Sequence, residues 1–375
     1  MKTRNKVLSG VAVLLAVGLS VLLLVISHDS PCGMAATLPA NTPRMNAIVY
    51  RCYGAADVLK LEQITKPVAA DNQVLVKVRA ASVNPLDWHY LHGKPYLMRL
   101  EAGIGAPTNV QLGVDFAGTV EAAGKNVTGF KAGDAVFGSR GGAFAEYVSV
   151  RANGTLALKP ANVSFEQAAA VPVAALTALQ ALRDKGHVQA EQKVLINGAS
   201  GGVGTFAVQI AKNYGAEVTA VCSARNVALV RSLGADHVVD YTQEDFTLRA
   251  EKYDLIVDVV GTHSLLEYRR VLNPQGTLVI IGSLDDGAWL GPLADVLKAY
   301  LIAPFVSQKV GFMLANSNQR DLALLRDWLQ AGKLKAVIDR AFSLSEVPAA
   351  IRYLEQGHAR GKVVITLADG LTTAP

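Results

Sequence analysis

The stretch of this chain best equipped for chemistry is Lys193-Val-Leu-Ile-Asn-Gly-Ala-Ser-Gly-Gly-Val-Gly204, followed by Thr205-Phe-Ala-Val-Gln-Ile-Ala-Lys212. An apolar strand enters a Gly-rich turn. A helical pattern leaves it, with Val203, Phe206, Ala207, Ile210 and Ala211 on one face. Glycines allow a tight turn and close approach to a pyrophosphate, and the helix N-terminus offers N–H groups and a positive dipole end to the anion. Read as G-x-G-x-x-G, the set is Ala199, Gly201 and Gly204, with Ala replacing the first Gly and Gly202 adding a flexible position. A bare Gly cluster would mark only a turn. The strand before it and the helix after it point to a bound dinucleotide.

The end of the next strand bears on which dinucleotide. An NAD site places Asp or Glu about twenty residues on, against the ribose 2′-hydroxyl. Here the strand Glu217–Cys222 ends in Ser223-Ala224-Arg225-Asn226. No carboxylate stands there to repel a 2′-phosphate, Ser223 can donate to one and Arg225 can pair with one. The plain alternative is that Arg225 is a solvated loop charge. The expected cofactor is NADPH, ahead of NADH.

Around this loop the texture is one of alternating strands and helices: Lys193–Asn197, Glu217–Cys222, His237–Asp240, Leu255–Val260 and Thr277–Ile281 are short apolar strands. That alternation predicts a parallel sheet with helices on both faces. Before about residue 165 the chain instead carries short β signals (Ala47–Tyr50, Val74–Val78, Gly118–Val120) broken by Gly and Pro. After about residue 305 come an amphipathic helix, Asp321–Gln330, and the short apolar segments Val337-Ile338, Val347–Leu354 and Val363–Ile365. This tail is too short to stand alone and is expected to fold back on the first domain.

The N-terminus is of another kind. Val7 to Ser27 is almost wholly apolar, interrupted by Ser9, Gly10, Gly18 and Ser20. About 21 residues at roughly 1.5 Å each cover about 30 Å, the thickness of a bilayer's hydrocarbon core. A cleavable signal peptide is the rival reading, with Met34-Ala35-Ala36 as a cleavage site, but its apolar region runs only to about 7–15 residues. Lys2, Arg4 and Lys6 precede the span, which favours a cytoplasmic N-terminus and an enzyme outside. A mainly cytosolic cofactor pulls the other way, so the side stays open.

The net charge of +5 owes three units to those same residues, leaving +2 for the rest. That is too little to suggest nucleic acid. Cys32, Cys52 and Cys222 are odd in number and scattered, forming neither a disulfide framework nor a metal spacing.

Further motifs appear in order: Ala81-Ser-Val-Asn-Pro-Leu-Asp87, Gly113-Val-Asp-Phe-Ala-Gly118, Val127–Phe137, Gly142–Tyr147, Val171–Ala181 and then the Gly-rich loop. With them the chain, from about Met45 to Leu367, resembles the medium-chain dehydrogenase/reductase superfamily, in its zinc-free quinone oxidoreductase branch. The ending Gly357-His-Ala-Arg-Gly-Lys362 is most similar to the reticulon-interacting oxidoreductase group. The resemblance implies an α/β fold: a GroES-like β domain plus an inserted Rossmann domain with a parallel sheet, here preceded by one N-terminal transmembrane helix. The expected division is 1–28 basic tail and anchor, 29–44 linker, 45–165 first part of the GroES-like domain, 166–305 Rossmann domain and 306–370 return segment. On the family pattern Ser200, Gly202 and Val203 line the pyrophosphate, and Ser223 and Tyr241 the adenosine end. Thr177, Gly261 and Gly282 approach the nicotinamide half, and Gly361 and Lys362 close over the cofactor. By residue type alone Tyr241 is equally a surface aromatic and Lys362 a surface charge.

Departures from the zinc alcohol dehydrogenases bear on mechanism. Where that family has its first Cys ligand stands Asn84. Where it has Gly-His-Glu stand Gly113, Val114 and Asp115, and the four-Cys lobe is missing. His89 and His92 have no companion ligand, so no zinc is expected. Without a Lewis acid the substrate must itself accept hydride, as quinones and α,β-unsaturated carbonyls do. The candidates for the substrate cleft are Asn84, for substrate or nicotinamide contact, and Tyr90 and Tyr96, for stacking or proton donation. An ordinary packing role is open to both tyrosines, and Asp87 reads as structural. Three functions follow: a quinone reductase, an enal or enone reductase, or a membrane-tethered NADPH-binding protein with little turnover. Expected partners are a conjugated small molecule, a lipid bilayer through the anchor and, on the family pattern, a second copy in a homodimer.

Overall fold

The computed structural model describes residues 17–18, 20–35, 37–282, 287–289, 291 and 293–367. Six parallel strands form the nucleotide-side sheet: Lys193–Asn197, Glu217–Cys222, His237–Asp240, Tyr253–Asp258, Leu272–Ile280 and Lys309–Phe312. In chain order they lie third, second, first, fourth, fifth, sixth. The order reverses beside the first strand, where doubly wound sheets open a crevice for ligands. The sheet is buried on both faces, which is why its strands are continuous apolar runs. Val194, Ile196, Val218, Ala220, Leu255 and Val257 face one core, while Leu195, Val221 and Ile256 face the other.

The second sheet runs Ile338–Ser343, Lys362–Thr366, Gln73–Val83, Asp115–Ala123, Ala135–Ser139, Leu156–Leu158, with Tyr147–Arg151 also pairing on Gln73–Val83. The chain's last strand therefore completes the first lobe, as expected. Val363 pairs with Val83 in antiparallel register, which sets Lys362 beside Asn84. The expected boundary at 305 does not follow the sheets, because Lys309–Phe312 pairs with Leu272–Ile280 in the nucleotide-side sheet. Four residues, Lys-Val-Gly-Phe, carry too little pattern to show which sheet they join.

Two N-terminal expectations, the unpaired cysteines and the plain linker, change, and the spanning helix is not found among the described residues. Among the described residues no helix is long and apolar enough to cross a membrane. Residues 20–27 are helical, but 7–16 and 19 of the expected span lie outside the described residues. The cysteines do include a bonded pair, Cys32–Cys52, with Cα atoms 4.5 Å apart. Segment 29–44, expected as a plain linker, docks along the first lobe: the Ser30 N–H donates to the Gly105 carbonyl (2.8 Å) and Arg51 Nε to that of Met34 (3.0 Å). Docking of this kind brings two sequence-distant cysteines together, which spacing alone does not reveal.

Candidate active site

The Gly-rich turn is built as its chemistry requires, with one shift of emphasis. The turn out of Lys193–Asn197 falls on Gly198, at φ +83°, not on Ala199. Gly201 is extended and precedes the helix Gly202–Asn213. A Cβ on Gly204 would lie 2.1 Å from the Gly198 carbonyl oxygen, so only glycine lets the helix close on the strand. Ser200, Gly201, Gly202 and Val203 are all partly open to solvent at the helix N-terminus. The return segment meets them: the Gly361 N–H donates to the Ser200 carbonyl at 2.8 Å, and Gly361 bridges to Gly201. Gly361 has φ +76°, and a Cβ there would meet the Val337 carbonyl oxygen at 2.3 Å.

At the strand end expected to meet the adenosine, Asn226 is the organising residue. It is 4% exposed and donates from Nδ2 to Ser200 Oγ (2.9 Å) and Ser223 Oγ (3.2 Å), tying the Gly-rich turn to the neighbouring strand end. Its Oδ1 is buried with no hydrogen-bond partner. Arg225 is exposed and its guanidinium donates to the His358 carbonyl (2.7 Å), bridging to the loop before Gly361. Tyr241 stands at its strand end, 57% exposed.

At the strand end expected to face the nicotinamide, Asp258 is 2% exposed and its Oδ1 accepts from the N–H groups of Val260 (3.2 Å) and Gly261 (3.0 Å) and from Asn197 (3.0 Å). It thereby fixes the turn at the strand end. Gly282 lies against the Val259 carbonyl oxygen, 2.8 Å from where its Cβ would be. Thr177 is 7% exposed and donates back to the Val173 carbonyl within the helix Pro172–Gln180.

Between the loop and the first lobe lies a buried polar group. Lys362 is 3% exposed, Asn84 2%, Asp87 and Asp115 0%. Lys362 Nζ donates to the Val83 carbonyl (2.9 Å) and to Asn84 Oδ1, and lies 4.0 Å from the Asp115 carboxylate. Asp115 also accepts from Asn84 Nδ2 (3.0 Å), Ser82 Oγ (3.2 Å) and the Val173 N–H (3.1 Å), so it reaches the helix that carries Thr177. Asn84 Nδ2 also donates to the Ser82 carbonyl (3.3 Å), so both amide N–H groups are engaged. A Cβ on Gly202 would come 3.1 Å from Lys362 Cδ, so the lysine stem runs under the dinucleotide loop. Burial pushes the Asp115 carboxyl up to about 6 against the pull of Lys362, and the Asp87 carboxyl up to about 7. Burial also lowers Lys362, while the two carboxylates oppose that shift.

Asp87 Oδ2 accepts the Asn84 N–H (2.8 Å) and caps the helix Pro85–His92, while Oδ1 has no partner. A cavity of about 340 Å³ opens beside it, lined by Asp87, Tyr90, Tyr50, Gln111, Gly113 and Val114 among others. Burial raises the Tyr90 phenol, which keeps it protonated. Tyr96 is placed elsewhere. Its N–H donates to the Ala288 carbonyl (2.7 Å) and its ring meets Trp289 edge-on at 4.9 Å, joining the two sides of the cleft.

Asp115, Asp258 and Asn226 are the residues that sequence reasoning missed. Asp115 was visible as the acidic member of Gly113-Val-Asp, but a lone carboxylate carries no sign that a lysine 247 positions on will meet it. Among the described residues no group of three or more His, Cys, Asp or Glu could hold a metal ion.

The comparisons with known proteins agree with this geometry. Residues 70–160 match the alcohol dehydrogenase GroES-like domain and residues 233–365 the zinc-binding dehydrogenase family. The chain is 36% identical over 337 residues to the 2-methylene-furan-3-one reductase of Solanum lycopersicum, covering 86% of this chain and 79% of that one. It is 34% identical over 371 residues to the mitochondrial NAD(P)H oxidoreductase RTN4IP1 of Mus musculus, covering 88% and 91%. Among solved structures, the quinone oxidoreductase from Coxiella burnetii is similar with a TM-score of 0.77 and 33% identity, over 87% of this chain and all of that one. With both lobes, the dinucleotide loop and these full-length relatives in agreement, the chain belongs to the medium-chain dehydrogenase/reductase superfamily as an NAD(P)H-dependent oxidoreductase of the quinone oxidoreductase type.

Proposed function

We propose that this protein is a metal-independent, NADPH-dependent reductase of conjugated carbonyls, quinones or enones, built from a GroES-like lobe and an inserted nucleotide lobe. The observation that carries the reading is the buried Lys362, whose ammonium engages Asn84, at the position of the zinc family's first Cys ligand, and Asp115, beside the position of its His. A fixed ammonium there repels a divalent cation, and an amide and one carboxylate make a poor donor set for zinc. The residues fit the cofactor: a glycine-only turn, a helix N-terminus and the unpartnered Asn226 Oδ1 leave hydrogen-bonding capacity for a nucleotide. Ser223 and Arg225 suit a 2′-phosphate.

Bound NADPH supplies the hydride. The protein's own residues then have three tasks. Ser200, Gly201, Gly202 and Val203 hold the pyrophosphate, with Lys362 adding positive charge beneath them. Thr177, Gly261 and Gly282 bound the nicotinamide side. On the cavity wall, Tyr90 is our candidate hydrogen-bond donor to the substrate oxygen, where negative charge develops. Asn84 acts by positioning Lys362, because both its amide N–H groups are taken up within the protein and its Oδ1 accepts from the lysine. Tyr96 joins the two sides of the cleft through its N–H and ring, which leaves stacking on a flat substrate as its role.

We keep the apolar stretch Val7–Ser27 as the proposed membrane anchor, supported by its length and by the exposed apolar run Val21–Val25. The Cys32–Cys52 bond sides with the basic N-terminus in putting the enzyme on the oxidising, non-cytoplasmic face. Stopped-flow oxidation of NADPH and NADH over a panel of quinones, enals and enones tests the reductase reading. Turnover with NADPH preferred supports it. Tight NADPH binding without turnover on any electrophile would replace the reductase with a tethered binding protein.

A further inference from the structure

The end of the apolar stretch and the residues after it, from Ile26 to Ser30, dock beside the helix Arg99–Ala102, whose Glu101 and Ala102 line the cavity and form its lip. Ile26 is 2% exposed, and Arg99, 1% exposed, reaches up to it. The Arg99 guanidinium donates to the carbonyls of Ile26 (3.2 Å) and His28 (3.0 Å) and to the Asp29 carboxylate (2.8 Å). It also lies against the rings of Tyr53 and Tyr96, 4.3 and 4.6 Å from their centroids. At Gly105, φ +79°, a Cβ would sit 2.5 Å from Ser30 Oγ, so the strap is held close at a position built for glycine. Cys32–Cys52 then closes the far end of the strap.

Two sets of apolar side chains flank this clamp. Val21, Leu22, Leu23, Leu24 and Val25 are five consecutive exposed residues of the N-terminal helix. Five consecutive positions sweep the full circumference of a helix, and a helix apolar all round is solvated by a core or by lipid. Among the described residues no core surrounds Val21–Val25; burial begins at Ile26, where the helix meets Arg99. On the lip itself Leu97, Leu100 and Ile104 are 42%, 62% and 52% exposed, either side of the Arg99 that grips the strap.

We propose that the clamped strap makes the anchor a rigid mount, seating the cleft lip on the bilayer surface through Leu97, Leu100 and Ile104. Lipophilic substrates then pass from membrane to cleft without crossing water. This rests on the anchored-reductase reading above. Lipid is the occupant because the apolar stretch of sequence leads straight into the lip, with basic residues at its outer end.

The test uses the full chain in phosphatidylcholine vesicles. Cys222 is buried and Cys32 and Cys52 are bonded, so a cysteine introduced as Leu100→Cys takes an environment-sensitive fluorophore selectively. Lys125→Cys is the control, because the strand Asp115–Ala123 carries the chain about 26 Å away from the site. Spin-labelled lipid is expected to quench the label at 100 and leave the one at 125 unchanged. The triple variant Leu97→Asp, Leu100→Asp, Ile104→Asp is expected to float with vesicles and to keep its turnover of a short soluble enone. Its turnover of a long-tailed quinone embedded in the vesicle should fall about tenfold. Flotation with an unquenched label at 100 overturns the mount and leaves the anchor standing. Failure to float after a carbonate wash removes the anchor and the mount together. A label shift without vesicles, with a dimer in sedimentation, would assign the patch to a second copy and overturn the proposal. The label measurements do not depend on turnover, so absent activity would count against the reductase reading alone.

Discussion

The Lys362 ammonium lies 4.0 Å from the Asp115 carboxylate, with both groups buried and the Asn84 amide bridging them. A buried pair is held together less by its own attraction than by the cost of leaving either charge alone. Lys362→Met strands Asp115 with neutral donors only, and should cost about 3–5 kcal/mol in denaturant unfolding. Adding Asp115→Asn should recover much of that loss. Simple additivity of the two changes would show that the pair does not couple.

Stability should also depend on pH through the two acids. Asp87 and Asp115 sit at about 7 and about 6, above the unfolded value of roughly 3.9. The folded state therefore holds these protons more tightly. Their contribution is fully present below about pH 4 and is lost as pH rises through about 6 and 7. Asp87→Asn keeps an acceptor for the Asn84 N–H and should flatten the decline near neutrality. Urea midpoints that fall in parallel for both proteins between about pH 5 and 8 would contradict the assignment.

Cofactor preference should reside in the Ser223–Asn226 corner. Arg225→Asp removes a cation and adds a carboxylate beside the expected 2′-phosphate. NADPH affinity should drop about tenfold or more, with NADH little changed. Fluorescence titration with both nucleotides measures this. An equal loss for both would mean that Arg225 acts only through its bond to His358.

Gly204 should tolerate nothing larger. In Gly204→Ala the new Cβ would fall 2.1 Å from the Gly198 oxygen, so helix and strand must part. A loss of at least about 2 kcal/mol, together with weakened nucleotide binding, is expected. Gly129→Ala, with nothing within 4 Å of its new methyl, should be neutral and serves as the comparison.

The disulfide should hold the strap closed. Cys32 and Cys52 are 20 residues apart, and closing a loop of that size is worth about 3 kcal/mol in the chain-entropy model. Cys52→Ser should speed amide exchange over residues 26–35 while sparing the core strands. Unchanged exchange there would show that Arg99 and Ser30 suffice.

The dinucleotide loop was legible in sequence because its parts are neighbours. Strand, turn and helix follow one another from Lys193 to Lys212, and the backbone itself is the binding group. Even so, the tight turn fell one residue early, on Gly198, because only a backbone angle separates it from Ala199. The apolar runs of the parallel strands and the long apolar N-terminal stretch were equally open to reading, since burial and hydropathy are properties of single residues summed locally.

Tertiary structure decided what needed partners from far away. Lys362 and Asn84 are 278 residues apart and meet only because Val363 pairs with Val83. Nothing in either residue type announces that contact, and a lysine alone reads as a surface charge. Cys32 and Cys52 were hidden by their odd-numbered company, and Arg99 by the assignment of the residues it grips, Ile26, His28 and Asp29, to anchor and linker. Tyr90 and Tyr96 looked alike in the sequence, but the fold put one on a cavity wall and the other across the cleft. The sequence by itself determined the chemistry its contiguous backbone could perform. The pairing of distant strands determined which side chains share the site, because hydrogen bonds and ion pairs depend on separation in space, which chain distance does not supply.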